Sequence, residues 1–430
     1  MFPFTYHDGQ LVAEQIPVAE LARRFDTPLY VYCRSAIVDR CRRMEGALGT
    51  VPHLTCYAVK ANANPALLRI IAGEGLGADV GSGGELLLAL DAGFRPETIT
   101  FSGVGKREEE IGEALGKRIR AFNVESLQEI EVLSALASAA GTRARILLRV
   151  NLDIDAGGHH YVSTSRRENK FGVAAGSAAD VLEAAARLPG IDVGGVHSHI
   201  GSQIVRTETF LRAAEALRAL VHDLRRRGVT VDDIDFGGGF GVQYRGPLRH
   251  PGIPPEEPEA AGIDPAEMVR GVLPILAGTG CTLAIQPGRS LVAEAGALLT
   301  RVLYRKDNGH KVFVVVDGGM NDLLRPSLYG SHHQVVPAVL TGAPPETVDV
   351  VGPVCESGDF FAQDRSLPRV ERGDLLALLC AGAYGYVLSS NYNARRRPAE
   401  VLVDGSTASL IRPRESYDAL RTPFPPEQRP

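Results

Sequence analysis

The chain has 430 residues, enough for two domains with large cores. It is 44% apolar and 23% charged, with 47 glycines spread along its length, the makeup of an ordinary globular protein. The formal charge of −5 argues against nucleic acid or anionic lipid as a partner, and no apolar run approaches the roughly 18 residues of a membrane span.

The N-terminal stretch MFPFTYHDGQLVAEQ lacks a basic region followed by an apolar one, so no secretory signal is expected. Residues 1–27 form a segment expected to pack with a later β domain. From 28 to 285, short apolar runs alternate with helical patterns. The runs fall at 28–33, 53–59, 77–81, 99–104, 120–125, 145–151, 192–200, 232–239 and 282–288. Between most of them, segments such as PALLRIIAGEG and TFLRAAEALRALVHDLRRRG repeat apolar residues at three- and four-residue spacing and stop at glycine. About eight or nine such units predict an α/β fold, a TIM-like (β/α)8 barrel rather than an open sheet. The stretch 245–266, rich in proline and glycine, reads as an insertion loop. Residues 286–430 carry strand patterns with few long helices and predict a mostly β second domain. The run Arg395, Arg396, Arg397 reads as a solvated loop, and the tail from 413 as frayed or docked. Six scattered cysteines, none in a C-x-x-C pair, fit reduced thiols and a cytoplasmic protein without a structural metal.

Unusual polar residues cluster where the apolar runs end, the face that carries the active site in a barrel of this kind. Lys60 closes the run HLTCYAV; it is either a snorkelling surface residue or a reactive amine able to condense with an aldehyde. His199 in HSHIGSQ is either a core histidine or a plate for a flat ring. The glycines of DFGGGFG, 235–241, form either a tight turn or a cradle of N–H groups for phosphate; the dinucleotide spacing is absent. Arg289 in QPGRS could close on a phosphate or a carboxylate. Cys355 and Glu356 lie between two glycines, and Tyr384 among small residues.

In this order these motifs resemble the fold-type III decarboxylases that use pyridoxal 5'-phosphate (PLP), and most of all the diaminopimelate decarboxylases. YAVKANANP, GADVGSGGEL, NVES, HSHIGSQI, DFGGGFGV, PGRSLVAEAG, VDGGMNDLLRPSLYG, GPVCESGD and AGAYGYVLSSNYN carry the resemblance, from about residue 25 to 412. Residues 151–172 are the segment that most separates this branch from ornithine- and arginine-type enzymes. The resemblance implies decarboxylation of a diamino acid, meso-diaminopimelate to L-lysine. It implies that Lys60 holds PLP as a Schiff base and that His199 stacks on the ring. Asp79, Ser202, Gly238, Gly239, Gly288, Arg289 and Tyr384 would complete the cofactor site. Arg289, Arg325, Tyr329, Glu356 and Tyr384 would bind substrate, and Cys355 would donate the proton to the decarboxylated carbon. Cys355 and Glu356 would serve the partner's site in a homodimer.

One position departs from the pattern: Gln286 stands where the family has a glutamate paired with the ring nitrogen. A glutamine amide offers that nitrogen either N–H or C=O. Three readings stay open: a slower enzyme of the same activity, a relative recruited to another amino acid in a specialised pathway, or different PLP chemistry such as racemisation or elimination.

Overall fold

The computed structural model describes residues 2–154, 169–258 and 263–421. Most of the branch-specific segment, part of the insertion loop and the end of the tail lie outside them. The chain divides into two compact units. One comprises Val38–Val242 and Gly262–Ser290; the other comprises Met1–Ile37, Gln243–Ala261 and Leu291–Pro430.

The first unit is a closed barrel. Its strands are β1 (His53–Ala58), β2 (Gly77–Val80), β3 (Ile99–Phe101), β4 (Ala121–Val124), β5 (Ala144–Asn151), β6 (Ile191–His197), β7 (Asp233–Asp235) and β8 (Thr282–Ile285). Each pairs in parallel with its neighbours, β8 with β1 and β4 with β5, so no edge is left open. A two-residue strand, Val173–Ala174, is added beside β5. Local chemistry starts the intervening helices. Ser82 accepts a bond from the Glu85 N–H while Glu85 accepts one from the Gly81 N–H, and Ser126 with Glu129 repeats the device before Leu127–Ala139. Asn64 and Asp264 cap helices that open on Pro65 and Pro265.

The two ends of the barrel differ. At the starts of β5, β6 and β7, Arg145 bonds Asp192 at 2.8 Å and Asp233 at 3.0 Å, and Arg120 meets Asp233 from the other side. This ion cluster braces the end of the barrel that carries stability rather than chemistry. At the opposite end the buried polar residues include Asp79, Asn123, His197, Asp235 and Gln286.

The second unit is built on a mixed sheet in the order Phe360–Pro368, Pro345–Val351, Val312–Val316, Gly296–Asp307, Leu29–Cys33, Ala399–Asp404 and Thr407–Arg412. The run at 28–33, expected to open the barrel, belongs here. Its strand Leu29–Cys33 pairs antiparallel with Gly296–Asp307 and parallel with Ala399–Asp404, and all five residues of that strand are buried. A short apolar run buried on both faces carries no signal of which sheet it joins. The boundaries shift accordingly: the barrel unit starts at Val38, and residues 243–261 belong with the β unit. A small antiparallel sheet, Phe4–His7, Gln10–Ala13 and Ile16–Pro17, precedes the main one. The arginine run is half-buried rather than solvated. Arg395 donates to Asn321 and to the Asp317 carbonyl, and Arg396 lies 4.4 Å from the Tyr417 ring centroid.

Candidate active site

The site residues of the barrel gather where its strands end. Lys60 sits in the single helical turn Val59–Ala61 directly after β1. It is exposed, and its charge lowers both the Asp79 carboxyl and the His199 imidazole. His199 lies two residues beyond β6, and its Nδ1 accepts the Gly238 N–H at 3.1 Å. That bond leaves the remaining ring proton on Nε2. Burial first, then the charges of Lys60 and Arg149, hold His199 well below the usual histidine range, so the imidazole is neutral.

The glycine loop after β7 is dictated by close packing. A Cβ on Gly238 would sit 2.1 Å from the Gln286 carbonyl oxygen, and one on Gly239 would sit 2.3 Å from that of Gly201. Gly237 and Gly239 also have positive φ angles of 71° and 96°. No other residue type fits a backbone pressed this tightly against its neighbours. Beside the loop, Arg289 Nη2 donates to Ser202 Oγ at 2.8 Å, joining two residues that the resemblance places in the cofactor site. Gly288 packs closely on Ala58 and Ala61: an added Cβ would lie 3.1 and 3.0 Å from theirs, tighter than ordinary contact.

Beneath lies a buried network that the sequence reading mostly missed. Asp235 Oδ1 accepts the Gly237 N–H at 2.9 Å. Its Oδ2 lies 3.0 Å from His197 Nδ1, 3.1 Å from Asn123 Nδ2 and 2.6 Å from Gln286 Nε2. Asp79 Oδ1 accepts from Ser102 at 2.5 Å and from Gln286 Nε2 at 3.1 Å. Burial works against ionising Asp235, but His197, the Gly237 N–H and Asn123 together bring it below the ordinary carboxylate range. Burial wins at Asp79, which is raised although Lys60 and Ser102 pull it down. Glu125 and Arg149 form a further buried ion pair at 2.8 Å. The available signal was polar residues at or near strand ends, such as the aspartate of DFGGG and the asparagine of NVES.

The β unit assembles a second group. Arg325 is buried, bonds His333 Nε2 at 2.9 Å and lies 4.5 Å from the Tyr244 ring centroid. It begins the short helix Arg325–Tyr329, whose Ser327 hydroxyl donates to the Gly358 carbonyl. This ties the helix to the loop that carries Cys355 and Glu356. Asp359 shapes that loop by accepting the Val354 and Met320 N–H groups, each at 2.6 Å. Cys355 is the exposed cysteine; the other five are buried. Glu356 is also exposed and accepts a bond from the Tyr392 hydroxyl, which raises that phenol. Tyr384 adopts a left-handed φ of 56°, an uncommon conformation for a tyrosine.

The barrel residues fit PLP. The cradle of glycine N–H groups, the Arg289–Ser202 pair, a lysine amine and a neutral imidazole match a phosphate, a cation-seeking anion, an aldehyde and a flat ring in turn. Among the described residues no cluster suited to a metal ion occurs, and no helix is long and apolar enough to cross a membrane.

Comparison with known proteins agrees. Residues 34–293 match the model of the pyridoxal-dependent decarboxylase family, pyridoxal binding domain. Diaminopimelate decarboxylase of Pseudomonas aeruginosa is 46% identical over 420 residues, covering 98% of each chain. The crystal structure of diaminopimelate decarboxylase from Helicobacter pylori complexed with L-lysine superposes with a TM-score of 0.87 at 39% identity, covering 94% of this chain and 98% of that one. The enzyme from M. jannaschii, also with L-lysine, gives 0.89 at 34% identity over 99% and 98%. With a pyridoxal-binding barrel matched along most of its length and relatives this similar from end to end, the chain belongs to the pyridoxal-dependent decarboxylases, in the diaminopimelate decarboxylase branch.

Proposed function

We propose that this enzyme removes one carboxylate of meso-diaminopimelate as CO2 and leaves L-lysine. The observation that carries the reading is the convergence of Lys60, neutral His199 and the glycine loop at one end of the barrel, in a chain 46% identical to a diaminopimelate decarboxylase. When bound, PLP supplies the conjugated sink for the electron pair freed as the Cα–carboxylate bond breaks. Lys60 would hold the cofactor through its side-chain amine. His199, kept neutral and oriented by the Gly238 N–H, offers its flat face to the ring without adding a repelling charge. The Gly237–Gly239 amides with Ser202 and Arg289 take the phosphate.

Cys355 donates the proton to the carbon that has lost its carboxylate, and Glu356 recognises the distal amino group. Both are exposed on this subunit, which suits their presentation to the partner's site in a homodimer. Arg325, Tyr329 and Tyr384 are the remaining substrate and cofactor contacts. Gln286 favours a second reading, a relative that acts on another diamino acid.

The purified holoenzyme should release CO2 from meso-diaminopimelate with lysine as product. Lys60→Ala should lose its visible cofactor band and at least about 1000-fold in rate. Turnover of a different diamino acid, with none of meso-diaminopimelate, would move the protein to the second reading.

A further inference from the structure

We infer that Gln286 is a positioning residue of the cofactor floor: its amide nitrogen clamps the Asp79 and Asp235 carboxylates together, so that the one polar atom it offers a bound ring is its carbonyl oxygen, an acceptor. The two N–H groups of that nitrogen reach Asp235 at 2.6 Å and Asp79 at 3.1 Å. Turning the amide over would press Oε1 against an ionised Asp235 oxygen at the same short distance. Asn123 and the Gly237 N–H already donate to that carboxylate, and His197 Nδ1 lies 3.0 Å from the same Oδ2, so these groups are engaged with Asp235 rather than with a reversed amide oxygen. The backbone has no slack either. The Gln286 N–H donates to the Gly237 carbonyl at 2.7 Å, and Gly238 packs directly against the Gln286 carbonyl. Ser102 and Asn123 close the ring of bonds, since Asn123 donates to both Ser102 and Asp235 while Ser102 donates to Asp79.

The other ionisable groups around the clamp come from every side. Cys56 on β1 is pushed up by burial and by both aspartates; Lys60 and Glu85 act on or respond to Asp79; His197 and His199 approach from β6. Without the cofactor, a carboxylate at position 286 would be a third acceptor among two others, and the cofactor-free fold would favour it with an added proton. The glutamine therefore keeps the floor assembled without that proton, and it selects a cofactor ring that carries its own proton on nitrogen. This inference rests on the PLP reading and not on the identity of the substrate.

Two measurements test it. In the cofactor-free full chain, Gln286→Glu should lower Tm by a deficit that widens by at least about 2 °C between pH 5 and pH 9. The sign follows from a raised carboxyl pKa in the fold: its stabilisation is complete below the unfolded value of about 4.3 and is lost as pH rises through the folded one. A deficit equal at both pH values would overturn the clamp. In the wild-type protein loaded with ring-15N PLP, the nitrogen resonance should lie in the protonated range near neutral pH. An unprotonated resonance would show that the amide N–H faces the ring, and the inference fails. The second measurement decides alone where Gln286→Glu does not fold. Neither reads decarboxylation, so a wrong substrate leaves both results standing.

Discussion

At the scale of single residues, the fold sets its charges by choosing what each carboxylate touches. Asp235 collects bonds from four directions and stays ionised despite complete burial, whereas Asp79, with fewer donors, is raised. Asp322 in the β unit shows the same competition with a clearer outcome. Burial pushes it up to about 7, against bonds from the Gly319 N–H and the pull of Arg395 and Arg414. Because the folded value exceeds the unfolded one, the stabilisation it gives is full at acid pH and disappears as pH rises through about 7. Asp322→Asn cannot ionise, so its Tm relative to wild type should climb by a few degrees between pH 5 and pH 8.5. Thermal unfolding across that range checks this; parallel curves for the two proteins would mean that Asp322 does not titrate there.

At the scale of elements, the loops after the strands are more tightly specified than the strands themselves. A glycine triplet in sequence suggests phosphate binding, but the structure shows a stricter reason: the loop threads between the Gly201 turn and the end of β8 with no space for a β carbon. Gly238→Ala should therefore cost about 1–3 kcal/mol of stability through overpacking. Gly239→Ala adds backbone strain at a positive φ. Both should weaken PLP affinity by more than about tenfold, read from the cofactor absorbance on titration. An alanine at either position that binds cofactor as tightly as wild type would mean that the loop gives way easily and that its shape does not set the phosphate site. The same logic governs the loop of Cys355, whose course is held by Asp359 and by Ser327 rather than by strand pairing.

At the scale of the whole molecule, Lys60, His199, the glycine loop and Arg289 belong to the barrel unit, while Cys355, Glu356, Arg325, Tyr329 and Tyr384 belong to the β unit. If Cys355 serves the partner's site, complementation reveals it. Co-expressed Lys60→Ala and Cys355→Ala chains should form mixed dimers with one intact site each, about a quarter of the wild-type activity for random pairing. Recovery no greater than either variant alone would sink the shared site.

Much of this was legible in the chain. The strand–helix alternation announced the barrel, because each βα unit writes its own hydrophobic period and its own caps. The motifs around Lys60, His199 and Arg289 pointed to one end of the barrel only together, because each alone also fitted a bland reading as a surface lysine, a core histidine or a turn. Other features could come only from the folded structure. The run at 29–33 needed its hydrogen-bond partners to show that it builds the second sheet. The two faces of the Gln286 amide were equivalent on paper, and the direction of its N–H groups followed only once Asp79 and Asp235 were brought within reach across 207 and 51 residues of sequence. Local pattern determines which element forms and where it stops; contacts between residues distant in the chain decide which sheet a buried strand joins, which carboxylate keeps its charge and which way a buried amide points.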